Sequence, residues 1–464
     1  MHRCDFQLAV DKGFRCKHVP EADARLCVFH LPKPSHLEKQ ELVSSNRIRA
    51  EQLEISFKSK LRDLMAQTEA DANAVAYDFR GFQFPSFSFE RKRFLKKAYF
   101  HQATFQDVDF SSAVFCQEVR FVSSNFKGEV VFAGAQFLAD VNFAGAHFGH
   151  EADFRLANFH ELTLFSWATF SETADFHWAT FNKEAIFEVV TVLKELRVIG
   201  HADQRCFEGA CNFRFLRLSK DAAVTLERVN LEHATFLDTD LERFSLRDVN
   251  WHRTPSRLGR LMPRQSLSDE FNFPKEVNMT EADYEKVAEN YRQLVLNYER
   301  KRDYDTAEDF HIGEMEMRRK KRGAHIQNKG LRKLREWTNS YGFYRALSNY
   351  GTSYVQAFLV LLAFLCIFSV AFLYSGFRTT AEEPQRTIEY NLLDDGLHHY
   401  VGLREWTQDY FSAMSLSASI VTFQKDRFYE PLPGISRFWL FLSVIAFTGQ
   451  GAMALLALRR RFRR

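Results

Sequence analysis

From residue 100 onward the chain carries one large apolar residue every five or six positions, set among polar ones. Phe stands at Phe100, Phe105, Phe110, Phe115, Phe121, Phe126, Phe132, Phe137, Phe143, Phe148, Phe154, Phe159, Phe165, Phe170, Phe176, Phe181 and Phe187. The residue two before each is small or β-branched, from Ala98 and Ala103 through Val141 to Ala185. This period fits neither a 3.6-residue helix nor a long alternating strand. It predicts a coil that turns a corner about every five residues and points one large and one small residue inward from each face. Four faces close one coil, and successive coils would stack ring on ring at the ~4.8 Å strand spacing. Six-residue steps require an extra residue on every second face, expected as a bulge at the corner.

A second, strictly five-residue stretch centres on Leu226, Leu231, Phe236, Leu241, Leu246 and Trp251. Leu193, Val198, Phe213 and Leu218 bridge the two blocks, and Phe79, Phe84, Phe89 and Phe94 form a weaker start. The pattern resembles the pentapeptide-repeat family, and that resemblance implies a right-handed quadrilateral β-helix, placed here at 78–252. Burying each ring contributes roughly 1.5–3 kcal/mol.

Other periods mark the flanks. Residues 36–72 read as a helix, with Val43, Ala50, Leu53, Phe57, Leu61 and Leu64 as an apolar stripe suited to capping the solenoid or to self-association. Residues 253–279 contain Pro and read as a linker. Thr280, with Asp283 three residues on, predicts an N-cap and a helical hairpin over 280–322 that resembles a single tetratricopeptide unit. Ala288, Tyr291, Leu294 and Tyr298 would face Ala307, Phe310 and Met317. Glu308 and His311 have a spacing used in di-metal bundles but lack a partner helix, and read as surface residues.

Residues 354–374 and 438–458 are two uncharged 21-residue runs, each long enough to span a ~30 Å hydrocarbon core. The expected class is therefore a multidomain membrane protein: a β-solenoid, a helical hairpin and two transmembrane helices. Arg318–Arg335, within the basic juxtamembrane segment 323–353 and its approach, and the tail 459–464 concentrate Lys and Arg. The connection 375–437 is acidic on balance: its residues 376–437 hold 6 Lys/Arg and 9 Asp/Glu. The positive-inside bias predicts cytoplasmic termini in a plasma or bacterial inner membrane. The start, MHRCDFQLAV, lacks the basic and apolar regions of a secretory signal, which agrees.

Within the connection, 410–423 (YFSAMSLSASIVTF) is too short to span and suits a re-entrant helix followed by a loop. Span, re-entrant segment and span resemble the pore module of two-span cation channels. Tyr410, Phe411 and Ser412 carry that likeness, with Pro431 or Pro433 and Arg437 before the second span. The resemblance implies a homotetramer around one pore. It places the filter among Ser417, Ala418, Ser419, Ile420, Val421, Thr422 and Phe423, and bending at Gly449 and Gly451. Because the filter glycines are missing, potassium selectivity is not expected. A nonselective or otherwise selective pore, a triggered pore and a degenerate module kept as an anchor remain open.

At the other end, Cys4, Cys16, Cys27 and His30 have the form C-x11-C-x10-C-x2-H. Three thiolates and an imidazole suit tetrahedral Zn2+. The set resembles small Cys3His zinc modules of C-x9-C-x10-C-x2-H type, which implies a structural or docking module at 1–35. All four ligands come from the chain, so no position is left for catalysis. Seven Cys scattered over 464 residues do not read as a disulfide framework. No phosphate loop, Ser-His-Asp spacing or open metal site is evident, so no enzymatic activity is expected.

Overall charge changes little, since net +3 averages unlike regions. Residues 100–187 carry 11 Asp/Glu and 4 Lys/Arg, which makes the rod acidic. That surface suits a cytosolic protein partner. Imitation of DNA is the alternative, disfavoured because a membrane-fixed mimic gains nothing evident. Direct nucleic-acid binding is not expected, as Lys12, Arg15, Lys17 and His18 form only a small basic cluster. The sequence thus points to a channel-like membrane protein gated or docked through its solenoid, or to a membrane-tethered scaffold.

Overall fold

The structure, a computed structural model, describes residues 4–8, 14–21, 24–42, 44–254, 263–271, 279–380, 385–390, 403–422 and 428–462. The chain divides into two compact units. The first holds Met1–Thr254 and Arg264–Glu314, and the second holds Met315–Arg464.

The first unit is a β-solenoid of about eight turns, with four parallel sheets as its faces. Each strand pairs with the strand one coil later, so Phe84, Phe105, Phe126, Phe148 and Phe170 lie in register on one face. Phe94, Phe115, Phe137, Phe159 and Phe181 do so on another. The rings stack nearly parallel: Phe105 and Phe126 are 4.8 Å apart, Phe137 and Phe159 4.9 Å. Phe105, Phe110, Phe115, Phe121, Phe126, Phe132, Phe137, Phe143, Phe148, Phe154, Phe159, Phe165, Phe170, Phe176 and Phe181 are all buried.

The corners explain the uneven period. From Phe110 to Phe187 the five-residue steps turn through a left-handed residue two positions after the central ring, such as Ser112, Ser123, Gly134 and Gly145. The six-residue steps use the other two corners, where no such residue occurs, and the extra residue lies in the corner itself. Between Phe126 and Phe132 that corner is tight: a Cβ on Gly128 would stand 2.2 Å from Asp107 Oδ1. Leu156, Trp167, Trp178 and Val189 also hold left-handed conformations. Those side chains pay backbone strain that Gly or Asn avoids.

The second block keeps a 20-residue coil, with Leu226 beside Leu246 and Leu231 beside Trp251. One bridging assignment is corrected. Val192, not Leu193, pairs with Phe170 and is buried, while Leu193 is exposed, because the inward position follows Phe187 by five residues.

Both ends of the rod are covered. The expected single helix is two, α1 (His36–Glu41) and α2 (Ser44–Ala70), interrupted at Leu42. α2 lays Phe57, Leu61 and Met65 inward, and Phe57 meets Phe82 and Phe84 edge-on. At the far end stands α3 (Glu281–Arg300), capped by Thr280 and Asp283 as expected. Asn290, Asn297 and Lys301 donate to the carbonyls of Phe236, Phe244 and Leu246 at 2.7, 2.6 and 2.5 Å. These edge groups would otherwise be open to further strand pairing. α3 also packs Tyr291 and Tyr298 against Phe310 of α4 (Tyr304–Lys321). Glu308 and His311 are half-buried rather than fully exposed, and His311 faces Glu314 at 4.0 Å.

The second unit contains α5 (Lys329–Thr338), α6 (Ser340–Ser348), α7 (Tyr354–Ser375), α8 (Leu403–Val421) and α9 (Ile435–Arg461). α8 packs between the two long apolar helices through Ala413, Leu416 and Ile420, against Phe368, Phe372 and Phe447. A three-stranded sheet, Phe377–Thr379 between Thr387–Ile388 and Tyr429–Pro431, joins the helix ends.

Candidate metal centre and the apolar helices

The N-terminal segment is too short for a core of its own, and it docks on the first coil. Gln83 N donates to Phe29 O at 2.7 Å, and the Phe29 ring stacks on Phe82 at 4.4 Å. Phe6 lies flat on the His30 ring, 3.8 Å away, and fills the space over Gly81, where a Cβ would stand 2.0 Å from its Cζ. Gly81 has φ of +70°, so that corner requires glycine twice over.

Docking gathers Cys4, Cys16, Cys27 and His30 into one buried cluster whose ligand atoms all lie within 4.8 Å of one another. Cys16 Sγ is 3.8 Å from Cys27 Sγ, and His30 Nδ1 is 3.1 Å from Cys27 Sγ and 3.5 Å from Cys4 Sγ. A tetrahedron with Zn–S bonds of ~2.3 Å has edges of about 3.8 Å, so the spacing fits zinc. His30 is turned by its other nitrogen: Nε2 donates to Arg80 O at 3.1 Å, which leaves Nδ1 toward the thiols. Backbone amides of Cys27 and His18 donate to the sulfurs of Cys4 and Cys16. The C-x2-H end chelates from one turn, closed by His30 N to Cys27 O.

Electrostatics argues for a cation. The Cys16 hydrogen bond holds the Cys27 thiol far below its usual range and pushes Cys16 up, while burial raises Cys4. Three thiolates buried this close together would need a compensating positive charge. Zn2+ bound here would act as a staple, because Cys4, Cys16, Cys27 and His30 fill its four positions.

The pore candidates lie elsewhere. Ser417, Ala418, Ser419, Ile420 and Val421 are helical residues of α8, which begins at Leu403 and runs through the position expected for a loop. Ser419 Oγ donates to Leu416 O and Thr422 Oγ1 to Ala418 O, so these carbonyls point along the helix. Thr422 follows its last turn, and Phe423 lies outside the described residues. The filter candidates from Ser417 to Val421 are therefore helical rather than part of a loop. Ser417 is buried and meets Ser369 Oγ of α7 at 3.2 Å.

Gly449 and Gly451 sit in α9, and a Cβ on either would meet nothing within 4 Å. Between them is a residue that sequence reasoning passed over. Gln450 is buried and donates to Leu347 O and Ala357 O at 2.8 and 2.7 Å, tying α9 to α6 and α7. Its signal was a lone amide within an apolar run.

α7 and α9 are long and apolar enough to cross a membrane, with mean hydropathy of 2.7 and 1.8 over their best windows. Only 28% and 22% of those windows is buried. Phe358, Leu359 and Leu362 on α7, and Phe438, Phe441 and Ile445 on α9, stand exposed. A soluble core helix would hide such residues.

The solenoid surface is acidic along one face. Asp109, Asp153 and Asp175 share its outward row, bordered by Asp107, Glu129 and Glu151 at the corner. Arg155 pairs with Asp153, and Lys194 with Glu172.

Residues 89–136, 113–158 and 143–191 match the family model of pentapeptide repeats (9 copies). No curated protein and no solved structure matches the chain.

Proposed function

We infer that the protein is a membrane-tethered pentapeptide-repeat scaffold. α7 and α9 anchor it, and its zinc-stapled solenoid offers the acidic face to a basic protein partner on the cytoplasmic side. The apolar exposure of α7 and α9 carries the reading, because burial in lipid is what removes its cost. The basic flanks support cytoplasmic termini. The role is one of binding rather than catalysis, in keeping with a metal set that fills its own coordination sphere. In sealed vesicles of known sidedness, the chain should resist carbonate extraction. Protease should reach residues 1–321 only from the cytoplasmic face. Release by carbonate would sink the anchor.

A channel-like homotetramer is the second reading, supported by α8 lying between α7 and α9. It requires Ser417–Val421 to leave the helix when a pore opens. Planar-bilayer currents altered by Thr422→Ala would favour it. A monomer in detergent without conductance would remove it.

A further inference from the structure

In the second unit, α5 has its polarity turned inside out. Arg332 and Glu336 point inward: Glu336 pairs with Arg332 and with the buried Arg319, both at 3.3 Å. Arg319 continues into a knot in which Glu316 also receives Arg345 and the Tyr350 hydroxyl. On the opposite side, Leu331 and Leu334 are 57% and 59% exposed, and no residue of the helix is buried. Trp337 closes the strip: its ring sits beside the Arg319 and Arg345 guanidinium groups, 5.6 and 5.2 Å away, and is still 49% exposed. Lys333 and Arg335 are exposed, and at 100° per residue they flank that apolar strip on either side. Phe343, 60% exposed, follows on α6. A helix lying on a protein in water does the reverse, with its apolar stripe inward and its charges out. An outward apolar strip edged by cations matches the membrane interface, where the strip enters the acyl boundary and the long cationic side chains reach phosphates.

We propose that α5 lies in the plane of the cytoplasmic interface and binds an anionic lipid surface through Leu331, Leu334 and Trp337, with Lys333 and Arg335 at the headgroups. Continuity selects this occupant over another protein. α6 follows α5 directly, α7 enters its apolar run six residues after α6 ends, and Gln450 ties α6 to α9. The inference rests on α7 and α9 being membrane spans. It adds a second attachment, sensitive to lipid charge, at the point where the buried Glu316 knot meets the membrane helices.

The test is hydrogen exchange on the full chain, in neutral detergent and in nanodiscs of phosphatidylcholine with or without phosphatidylglycerol. Residues 354–375 report insertion and 329–338 report docking. Amides of 329–338 should exchange more slowly in nanodiscs, and more slowly still with phosphatidylglycerol. Each lost cation should weaken that anionic preference by about fivefold. Lys333→Glu with Arg335→Glu should therefore abolish it while leaving 354–375 protected. Trp337 fluorescence should be quenched by brominated acyl chains, and the quenched component should vanish in Trp337→Phe. Protected 354–375 with equal exchange of 329–338 in detergent and nanodiscs overturns the proposal but not the membrane anchor. Unprotected 354–375 overturns both. Protection of 329–338 that tracks protein concentration in detergent assigns the strip to a second copy of the chain and also overturns it.

Discussion

Removing the metal should unfasten one end of the rod and leave the other intact. Cys27→Ser deletes the sulfur that stands 3.8 Å from Cys16 and 3.1 Å from His30. With the cluster open, Phe29 keeps its edge contact with Phe57 but loses the clamp that seats it on Phe82 and closes the Gln83 N to Phe29 O bond. Exposing the Phe29 side chain costs about 1.5–3 kcal/mol. The lost ring stack costs about 0.5–1.5 kcal/mol and the hydrogen bond a similar amount. Together these put about 2.5–6 kcal/mol on the first coil, or exchange faster by about 10²–10⁴ for amides near residues 79–94. A solenoid transmits stability between neighbouring coils only, so amides of 154–181, three coils on, should hold their protection. The assay is metal analysis of the purified chain with peptide-resolved hydrogen exchange, on wild type, Cys27→Ser and chelator-treated protein. One zinc per chain is expected in wild type and none in the variant. Wild type without zinc, or a metal-free variant with unchanged exchange at 79–94, would refute the staple. Equal loss at 154–181 would refute its local action.

Phe137→Ala empties a site between Phe115 and Phe159 and should cost about 3–5 kcal/mol, read as a lower denaturant midpoint; a loss below 1 kcal/mol would contradict a close-packed ring column. Leu156→Asn relieves an exposed left-handed corner and should gain about 1 kcal/mol, whereas destabilisation would show that the side chain is held by contacts. Burial raises the Asp269 carboxyl to about 6 while it accepts Phe236 N at 2.8 Å. Its stabilising contribution is full below the unfolded value near 4 and is lost as pH rises through about 6, a change of about 3 kcal/mol. Asp269→Asn keeps the acceptor, so its midpoint should gain on wild type at pH 8 and not at pH 4.5; an equal difference at both would exclude titration at this site. Gln450→Leu removes two donors from Leu347 O and Ala357 O and should lower the melting temperature in detergent, by about 1–3 kcal/mol of lost stability; an unchanged melt would deny it the clamping role.

The solenoid was legible because its period is set by geometry that every coil repeats. Phe105, Phe126 and Phe148 had to recur at fixed spacing once they stack through parallel strands. The corners were less so. Left-handed residues there include Ser112, Leu156 and Trp178, and no composition rule marks them when the flanking strands enforce the turn. Leu193 fails as a bridging position because the register places its neighbour Val192 beside Phe170. The candidate metal ligands could be read because three thiols and an imidazole keep their chemistry in any fold. Their docking on the first coil could not, since it depends on Phe6 fitting over Gly81 across 75 residues of chain.

The second unit shows where local reading fails. Ile420, Val421 and Thr422 are β-branched, which lowers helix propensity slightly, and the likeness to a pore module places a loop here. Helix wins because hydroxyls of Ser419 and Thr422 bond back to carbonyls of their own helix, while Ala413, Leu416 and Ile420 meet the core on one helical face. Patterning at i, i+3 and i+7 carried that outcome, and propensity at the end of the segment opposed it. The segment 323–353 failed in the opposite way. Its charges invited a reading by sign alone, which hid the apolar strip of Leu331, Leu334 and Trp337. Charge counts set orientation, but the phase between cationic and apolar positions decides whether a basic segment stays in water or enters the interface. In α5 that phase places Arg332 and Glu336 on the protein and the leucines away from it, the arrangement from which interfacial binding is proposed.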